Sequence, residues 1–394
     1  MPARNRNPFR PGNGILPPFL AGRDEVLASF ARLLDENMRG LPRNLILYGL
    51  RGTGKTVLLQ MFKQICERKK WIFVEREFNE RYMDEEVFAE AFLQDLTRAA
   101  SDISLLKKAK EFGKRAVDLL KPEELEVLGI RYKPFYKTQK TLLEDHLKDH
   151  LIDNWKLFAK ATEEAHGLVF IYDEFHVVKD VTPNFPLASF LGGLAYAQRK
   201  GCRYVVIASG LPNMKTNMKE AKTYVERMFR FEETANLDPE DARKAIEEPI
   251  TKAGIKFDPD VIQAIVNETK GYPYFIQFYG YHLIENLNLD HVRLSDYKKV
   301  HADMLDELDR SFFDDRFEQA SHAEQEVLFA VAEIGEENVK TLEISQRCKH
   351  DYQTLISSLN RLADKNLIYR TRKGRYSFAL PLFRDFILRK LSRS

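Results

Sequence analysis

The feature that most limits what this chain can fold into is Gly49-Leu50-Arg51-Gly52-Thr53-Gly54-Lys55-Thr56, which satisfies G-x-x-x-x-G-K-[ST]. Such a loop works only between a strand and a helix. The glycines let the backbone curl so that successive N–H groups point inward, and the helix N-terminus adds its dipole. The flanking sequence has that form: LILY at 45–48 is a short apolar strand, and KTVLLQMFKQI from Lys55 onward is an apolar-periodic helix. In this pattern Lys55 reaches the β- and γ-phosphates of a nucleotide and Thr56 ligates Mg²⁺. Gly49, Gly52, Thr53, Gly54, Lys55 and Thr56 are therefore the candidate residues for binding ATP and Mg²⁺.

Hydrolysis needs, in addition, an acid that orients the metal and a group that positions water. GLVFIYDEF at 167–175 supplies both, because an apolar strand leads to Asp173 at its C-terminal end with Glu174 beside it. Asp173 is placed for the Mg²⁺ shell and Glu174 for polarising the attacking water. The same pair also fits a helix cap or a solvated turn.

Further strand candidates are WIFVERE (71–77), RYVVIASG (203–210) and MFRFEETANL (228–237), separated by helical patterns at 83–99, 139–165 and 188–200. Alternation of this kind predicts a doubly wound α/β layer with a parallel sheet. Residues 1–18, rich in Pro, Gly, Asn and Arg, read as an extended arm. Val26, Phe30, Leu33 and Leu34 mark a helix that Gly40 can close. The stretch 104–137 breaks the alternation and reads as an insertion, with a basic helix-like piece followed by a candidate hairpin at ELEVLGIRYKPFYK. After Leu237 only helices are predicted, one starting at Pro239 and another at Gly271-Tyr272-Pro273. The expected domains are an ATPase core at 1–237, an all-helical lid at 238–310 and a third domain at 311–394.

That third domain has its own pattern. Two helices, HAEQEVLFAVAEIG and TLEISQRC, precede a third in which Tyr352, Leu355, Ile356, Leu359 and Leu362 form the apolar face and Asp351 is a possible cap. LIYRTRKGRYSFAL then alternates around a Lys-Gly tip, and a final helix follows. The order resembles that of a winged helix. Charge is uneven along the chain: Lys340–Ser394 holds 13 Lys and Arg against 4 Asp and Glu, a net of +9 that leaves −7 on the preceding residues. Arg370, Arg372, Lys373 and Arg375 on the wing, with Lys349 and Arg361 on or beside the third helix, suit phosphate contact. Double-stranded DNA and a protein partner both remain open as what this domain meets.

Composition excludes other classes. With 394 residues, 44% apolar and 30% charged, the chain can build real cores and is not disordered. Cys66, Cys202 and Cys348 are too few and too far apart for a disulfide framework or a zinc site. No window approaches eighteen consecutive apolar residues and the N-terminus lacks a signal-peptide core, so a cytoplasmic protein without membrane contact is expected.

Taken together, AGRDE at 21–25, the loop at 49–56, IYDE at 171–174, VVIASGLP at 205–212, ERMFRF at 226–231 and GYP at 271–273 resemble the AAA+ P-loop ATPases. The resemblance is to the bacterial and archaeal group related to origin-recognition initiators and to STAND-type signalling ATPases. It implies that Ser209 senses the γ-phosphate and that Gly22 and Arg23 flank the adenine. It further implies that Arg227, or Arg230 in its stead, is an arginine finger for a neighbouring subunit in a homo-oligomer; a salt bridge within the helix is the other reading of either arginine. GYP resembles the glycine-proline lid motif of STAND ATPases, whose proline, here Pro273, lies near the base. GYPYFIQ has no lid arginine for the γ-phosphate, which favours a slow switch over a vigorous hydrolysis cycle. The leading functional expectation is an ATPase (ATP and Mg²⁺ dependent) that couples nucleotide state to DNA association. The competing one is a signalling or defence regulator whose winged helix docks a protein. A metabolic P-loop kinase fits neither the helical lid nor the basic C-terminal domain.

Overall fold

The computed structural model describes residues 7–112, 142–159, 165–348 and 350–393. The chain packs into two units. One holds Met1–Gly22, Leu50–Gly54 and Ala235–Ser394, and the other holds Arg23–Gly49 and Lys55–Thr234.

The second of these is an α/β layer. Its strands are β1 (Asn44–Tyr48), β2 (Ile72–Glu77), β3 (Leu168–Asp173), β4 (Tyr204–Gly210) and β5 (Phe229–Glu233), all parallel, in the order β2-β3-β4-β1-β5. Helix α1 (Asp24–Met38) precedes β1, and α2 (Lys55–Arg68), α3 (Glu85–Phe112), α4 (Leu143–Ala159) and α5 (Pro186–Arg199) follow in turn. Strands buried on both faces need apolar residues at consecutive positions, and β1, β3 and β4 have them, whereas the edge strands β2 and β5 carry charged residues. Leu45, Leu47, Val169, Ile171, Val205 and Ile207 pack with Phe30, Leu34 and Phe62 on one face. Ile46, Leu168, Phe170, Tyr172, Val206 and Ala208 pack with Phe88, Phe92, Leu147 and Phe190 on the other. The fold is the expected doubly wound P-loop ATPase layer. Of the insertion expected at 104–137, residues 104–112 continue α3 as helix, while the candidate hairpin lies outside the described residues.

Helices α6 (Asn213–Ala221) and α7 (Val225–Met228) lie between β4 and β5. The other unit contains α8 (Pro239–Lys252), α9 (Pro259–Thr269), α10 (Pro273–Leu287) and α11 (Leu294–Leu308). Pro239 and Pro273 each sit in a first helical turn, where a missing N–H costs nothing. The expectation of helices alone is corrected here. Lys256–Phe257 (β6) and His291–Val292 (β7) pair in parallel, because Asp258 and Lys256 donate backbone N–H bonds to Val292 and Asp290.

A π-helical turn, Asp309–Phe313, spans the expected boundary at 310/311 and leads into α12 (Asp314–Glu318). Then come α13 (His322–Ile334), β8 (Val339–Lys340), α14 (Thr341–Arg347), α15 (Tyr352–Asp364), the antiparallel pair β9 (Ile368–Arg372) and β10 (Arg375–Phe378), and α16 (Phe383–Arg393). The three strands form one sheet in the order β8-β10-β9. Ser321 and Glu324 cap α13 reciprocally, and Asp351 caps α15 by accepting from Gln353 and Thr354 N–H. Tyr352 departs from the expected apolar face: it is 65% exposed, because Asp351 already sets the helix start and Leu355, Leu359 and Leu362 fill the core. A single apolar cluster runs through this unit from Phe9 to Ile387, joined by ring contacts of Phe275 with Phe312 and of Phe313 with Phe383 and Phe386.

Candidate functional site

The C-terminal ends of β1, β3 and β4 carry the candidate chemistry, beside the point where β1 is flanked by β4 and β5. In open α/β sheets this is where ligands bind. Gly49 N–H donates to the Gly210 carbonyl (3.2 Å), so the glycine loop leaves the sheet tied to β4. Gly54 has φ +93° with open space where a Cβ would be, a left-handed position that glycine accepts without strain.

Lys55, the first residue of α2, is 6% exposed and donates to the Gly49 carbonyl at 3.0 Å. Burying an ammonium is costly unless it is paired, so this cation is held by its surroundings at the head of the loop. Thr56 Oγ1 donates to Asp173 Oδ2 at 2.7 Å. The other carboxylate oxygen of Asp173 accepts the Glu174 N–H (2.9 Å) and the Ser209 hydroxyl. The structure thus brings Lys55, Thr56, Asp173, Glu174 and Ser209 together from segments far apart in sequence. Ser209 is fully buried and bonded to Asp173. The oxygens of Thr56 and Asp173 form the hard-oxygen donor set that Mg²⁺ takes, so the residues present fit the metal.

Glu174 has φ +52° and ψ +26°, a left-handed conformation unusual for a residue with a Cβ. The turn is held by Val177 and Val178 N–H bonds back to the Glu174 and Phe175 carbonyls, and by Phe175, which is buried against Tyr172 and Phe78.

In the other unit, Thr53 is 2% exposed and its hydroxyl donates to the Leu50 carbonyl at 2.9 Å. The Tyr272 hydroxyl donates to the Arg51 carbonyl at 2.7 Å, and a Cβ on Gly52 would come 2.0 Å from that hydroxyl oxygen. Gly52 is thus fixed by Tyr272 as well as by its φ of +75°. Burial pushes the Tyr272 phenol above its ordinary value, so it remains a donor. Sequence reasoning singled out Pro273 and missed Tyr272, although GYP was the signal that could have found it. Pro273 opens α10 as its first residue. Gly271 has φ +71°, and a Cβ there would come 2.0 Å from the Leu237 carbonyl oxygen. Gly22 has φ +64° and lies against Asp241, where a Cβ would be 2.4 Å from Oδ2.

Arg23, in the α/β unit, is the residue before α1. The two arginine-finger candidates separate. Arg230, on strand β5 and not in a helix, donates to Glu36 (2.9 Å) and Ser29 of α1, a bridge between elements in place of the within-helix one expected, whereas the Arg227 side chain is exposed on α7 and makes no ion pair among the described residues.

The C-terminal cations also divide. Arg361 and Lys365 both pair with Glu324, which is 1% exposed, while the Arg361 side chain itself stays 54% exposed. Arg389 pairs with Asp309, Lys390 with Asp314 and Arg347 with Glu333. Arg370, Arg372 and Lys373 are exposed and make no ion pair among the described residues, while Arg375 donates to the Asn338 carbonyl (3.0 Å). Lys349 lies outside the described residues. No described helix is long and apolar enough to cross a membrane.

Comparison with known proteins agrees with this geometry. Residues 20–206 match the family model described as an AAA ATPase domain, and residues 310–387 match one described as a domain of unknown function, DUF8462. No curated protein matches the sequence significantly. Among solved structures, the chain is similar to the Walker-type ATPase PABY2304 of Pyrococcus abyssi, at 17% identity and a TM-score of 0.59 over 94% of this chain and 96% of that one. It is also similar to the Aeropyrum pernix ORC2 protein (16% identity, TM-score 0.44, 97% of each chain). A third is a Thermotoga maritima RuvB variant (12%, 0.46, 94% and 95%). At 17% identity the first likeness is one of fold alone, and the other two are weaker still. The glycine loop at the head of α2, the Thr56–Asp173 pair and the family match converge on one conclusion: residues 20–206 form an AAA ATPase domain.

Proposed function

We propose that the protein is an AAA+ switch ATPase that hydrolyses ATP slowly and couples its nucleotide state to double-stranded DNA through a winged helix at 311–394. The observation that carries the hydrolytic part is the Thr56–Asp173 hydrogen bond of 2.7 Å beside Lys55 and Glu174. Lys55 neutralises phosphate charge, Thr56 and Asp173 hold Mg²⁺, and Glu174 accepts the proton of the attacking water. Bound Mg²⁺ supplies further charge neutralisation on the phosphates. Ser209 orients Asp173 through its hydroxyl, and Pro273 and the Gly22–Arg23 pair serve the nucleoside. Arg227, exposed and without an ion pair among the described residues, is the finger candidate in a nucleotide-dependent homo-oligomer.

Support for DNA comes from the helix, strand, helix, helix, hairpin order at 322–378 and from the exposed Arg370, Arg372 and Lys373 at the hairpin tip. A second reading, docking of a protein partner, is favoured by the engagement of Arg361 and Lys365 with Glu324 and by the exposure of Leu342 (67%) and Tyr352 (65%). ATP turnover measured with and without Mg²⁺ and duplex DNA tests the proposal. Mg²⁺-dependent turnover that responds to duplex supports it. Turnover indifferent to DNA, with no duplex affinity at low salt, supports the protein-docking reading.

A further inference from the structure

Arg316 of α12 is a part-buried cation with which no carboxylate forms an ion pair among the described residues. Its guanidinium carbon lies 3.7 Å from the centroid of the Phe312 ring, and Nη1 donates to the Phe312 carbonyl. Arg76 and Arg389, also part-buried, instead meet Asp95 and Asp309. A ring face and a carbonyl offset a guanidinium only in part. Burial, the largest influence, lowers Arg316 from its ordinary value, and the positive charge of Arg51 lowers it further. The Tyr272 and Tyr274 phenols act in the other direction, and Asp315, next in sequence, is the weakest influence of all. An arginine stays charged through such shifts.

The surroundings of Arg316 lead to the glycine loop, whose residues 50–54 pack in the same unit. Ring contacts run from Phe312 to Phe275 (5.2 Å) and from Phe275 to Tyr272 (4.6 Å). The Tyr272 hydroxyl donates to the Arg51 carbonyl at 2.7 Å and covers Gly52. Arg316 and Arg51 both act on the Tyr272 phenol, so two guanidiniums lie within electrostatic reach of the one hydroxyl that bonds to the loop. Like charges gathered in this way repel, and partial burial removes water that screens them. A phosphate resolves the conflict, because its oxygens match the planar fork of a guanidinium and its charge answers both cations.

Resting on the ATPase reading above, we infer that Arg316 is a phosphate-binding residue, which together with Arg51 receives a phosphate of the nucleotide held by the glycine loop. The contact comes from the first helix after the π-helical turn, so bound phosphate bears directly on the C-terminal part of the chain.

The test compares Arg316→Met, which keeps an apolar stem on the Phe312 ring and removes the charge, with Arg316→Lys, which keeps the charge. ATP affinity is read by calorimetry, and stability by thermal unfolding with and without ATP. Arg316→Met is expected to lose between about 10- and 100-fold in ATP affinity, the range for one hydrogen-bonded contact to a charged group, and Arg316→Lys to recover part of that loss. Without nucleotide the Arg316→Met midpoint is expected to equal or exceed the parent's, since the variant no longer holds an unpaired cation inside the fold. The rise in midpoint on adding ATP is expected to shrink. Parent-like ATP affinity in Arg316→Met would overturn the inference, and so would a loss that Arg316→Lys leaves undiminished. A nucleotide-free midpoint below the parent's would do the same, because it marks a cation already answered within the fold. A parent protein that binds no ATP would overturn the ATPase reading itself.

Discussion

Thr56 Oγ1 and Asp173 Oδ2 lie 2.7 Å apart, although 117 positions separate them in the chain. One residue is on the second position of α2 and the other ends β3, and only a parallel sheet with β1 and β3 on either side of β4 sets them side by side. The hydroxyl and the carboxylate proposed to hold Mg²⁺ are thus set side by side by the sheet order.

From that arrangement, Lys55→Ala is expected to weaken ATP binding by roughly 100-fold, the loss of one or two charge-assisted hydrogen bonds. Within the protein Lys55 donates to the Gly49 carbonyl, at the start of its own loop. Calorimetry on the folded variant checks this, and affinity equal to the parent's would remove the phosphate assignment. Glu174→Gln should instead bind ATP normally and lose turnover by about 100-fold or more.

Arg227 and Arg230 make opposite predictions. Arg230 is bound to Glu36, so Arg230→Ala should lower thermal stability modestly and leave turnover per folded molecule unchanged. For Arg227→Ala the expectation is reduced turnover with ATP affinity intact, and parent activity should rise with protein concentration. Activity independent of concentration would return Arg227 to the ordinary surface.

For the C-terminal hairpin, replacing Arg370, Arg372, Lys373 and Arg375 together by Ala is expected to weaken all duplexes alike. It should also lower the log–log salt slope by up to about 3.6, near 0.9 for each of the four phosphates no longer neutralised. Fluorescence anisotropy across a salt series reads both quantities. An unchanged slope would place DNA elsewhere or nowhere.

A pH dependence follows from Glu268 of α9, which accepts hydrogen bonds from Tyr279 (2.9 Å), Tyr297 (2.8 Å) and His301 (2.8 Å) on the next two helices. Burial alone would raise this carboxyl, but the bonds from His301, Tyr297 and Tyr279 outweigh it and hold it below its ordinary value. A carboxyl depressed on folding binds more protons in the unfolded chain, so its stabilising contribution is fully present at pH above the ordinary carboxylate range. That contribution is lost as pH falls through the folded value. Glu268→Gln should therefore be less stable than the parent in urea near neutral pH, with the gap closing under acid conditions. A gap that stays constant down to strong acid would exclude Glu268 as its source.

Residue order alone was enough for the local features. A glycine loop, a strand ending in Asp-Glu, Pro at helix starts and alternation around Lys373-Gly374 each depend on residues a few positions apart, and backbone sterics reads them the same way in any context. The strands β1, β3 and β4 were legible because burial on both faces demands unbroken apolar runs. The parallel pairing of β6 with β7 was not, since two-residue strands leave no periodicity. Which charges stay available emerged only with the packed molecule. Arg361 looks like any basic helix residue until Glu324, 37 positions away, is seen buried beneath it. Arg230 and Arg227 become distinguishable through Glu36 alone. Likewise Tyr272 acquires meaning from the carbonyl at Arg51. A side chain's partner is set by where the sheet and helices place distant segments, and no spacing along the chain encodes that.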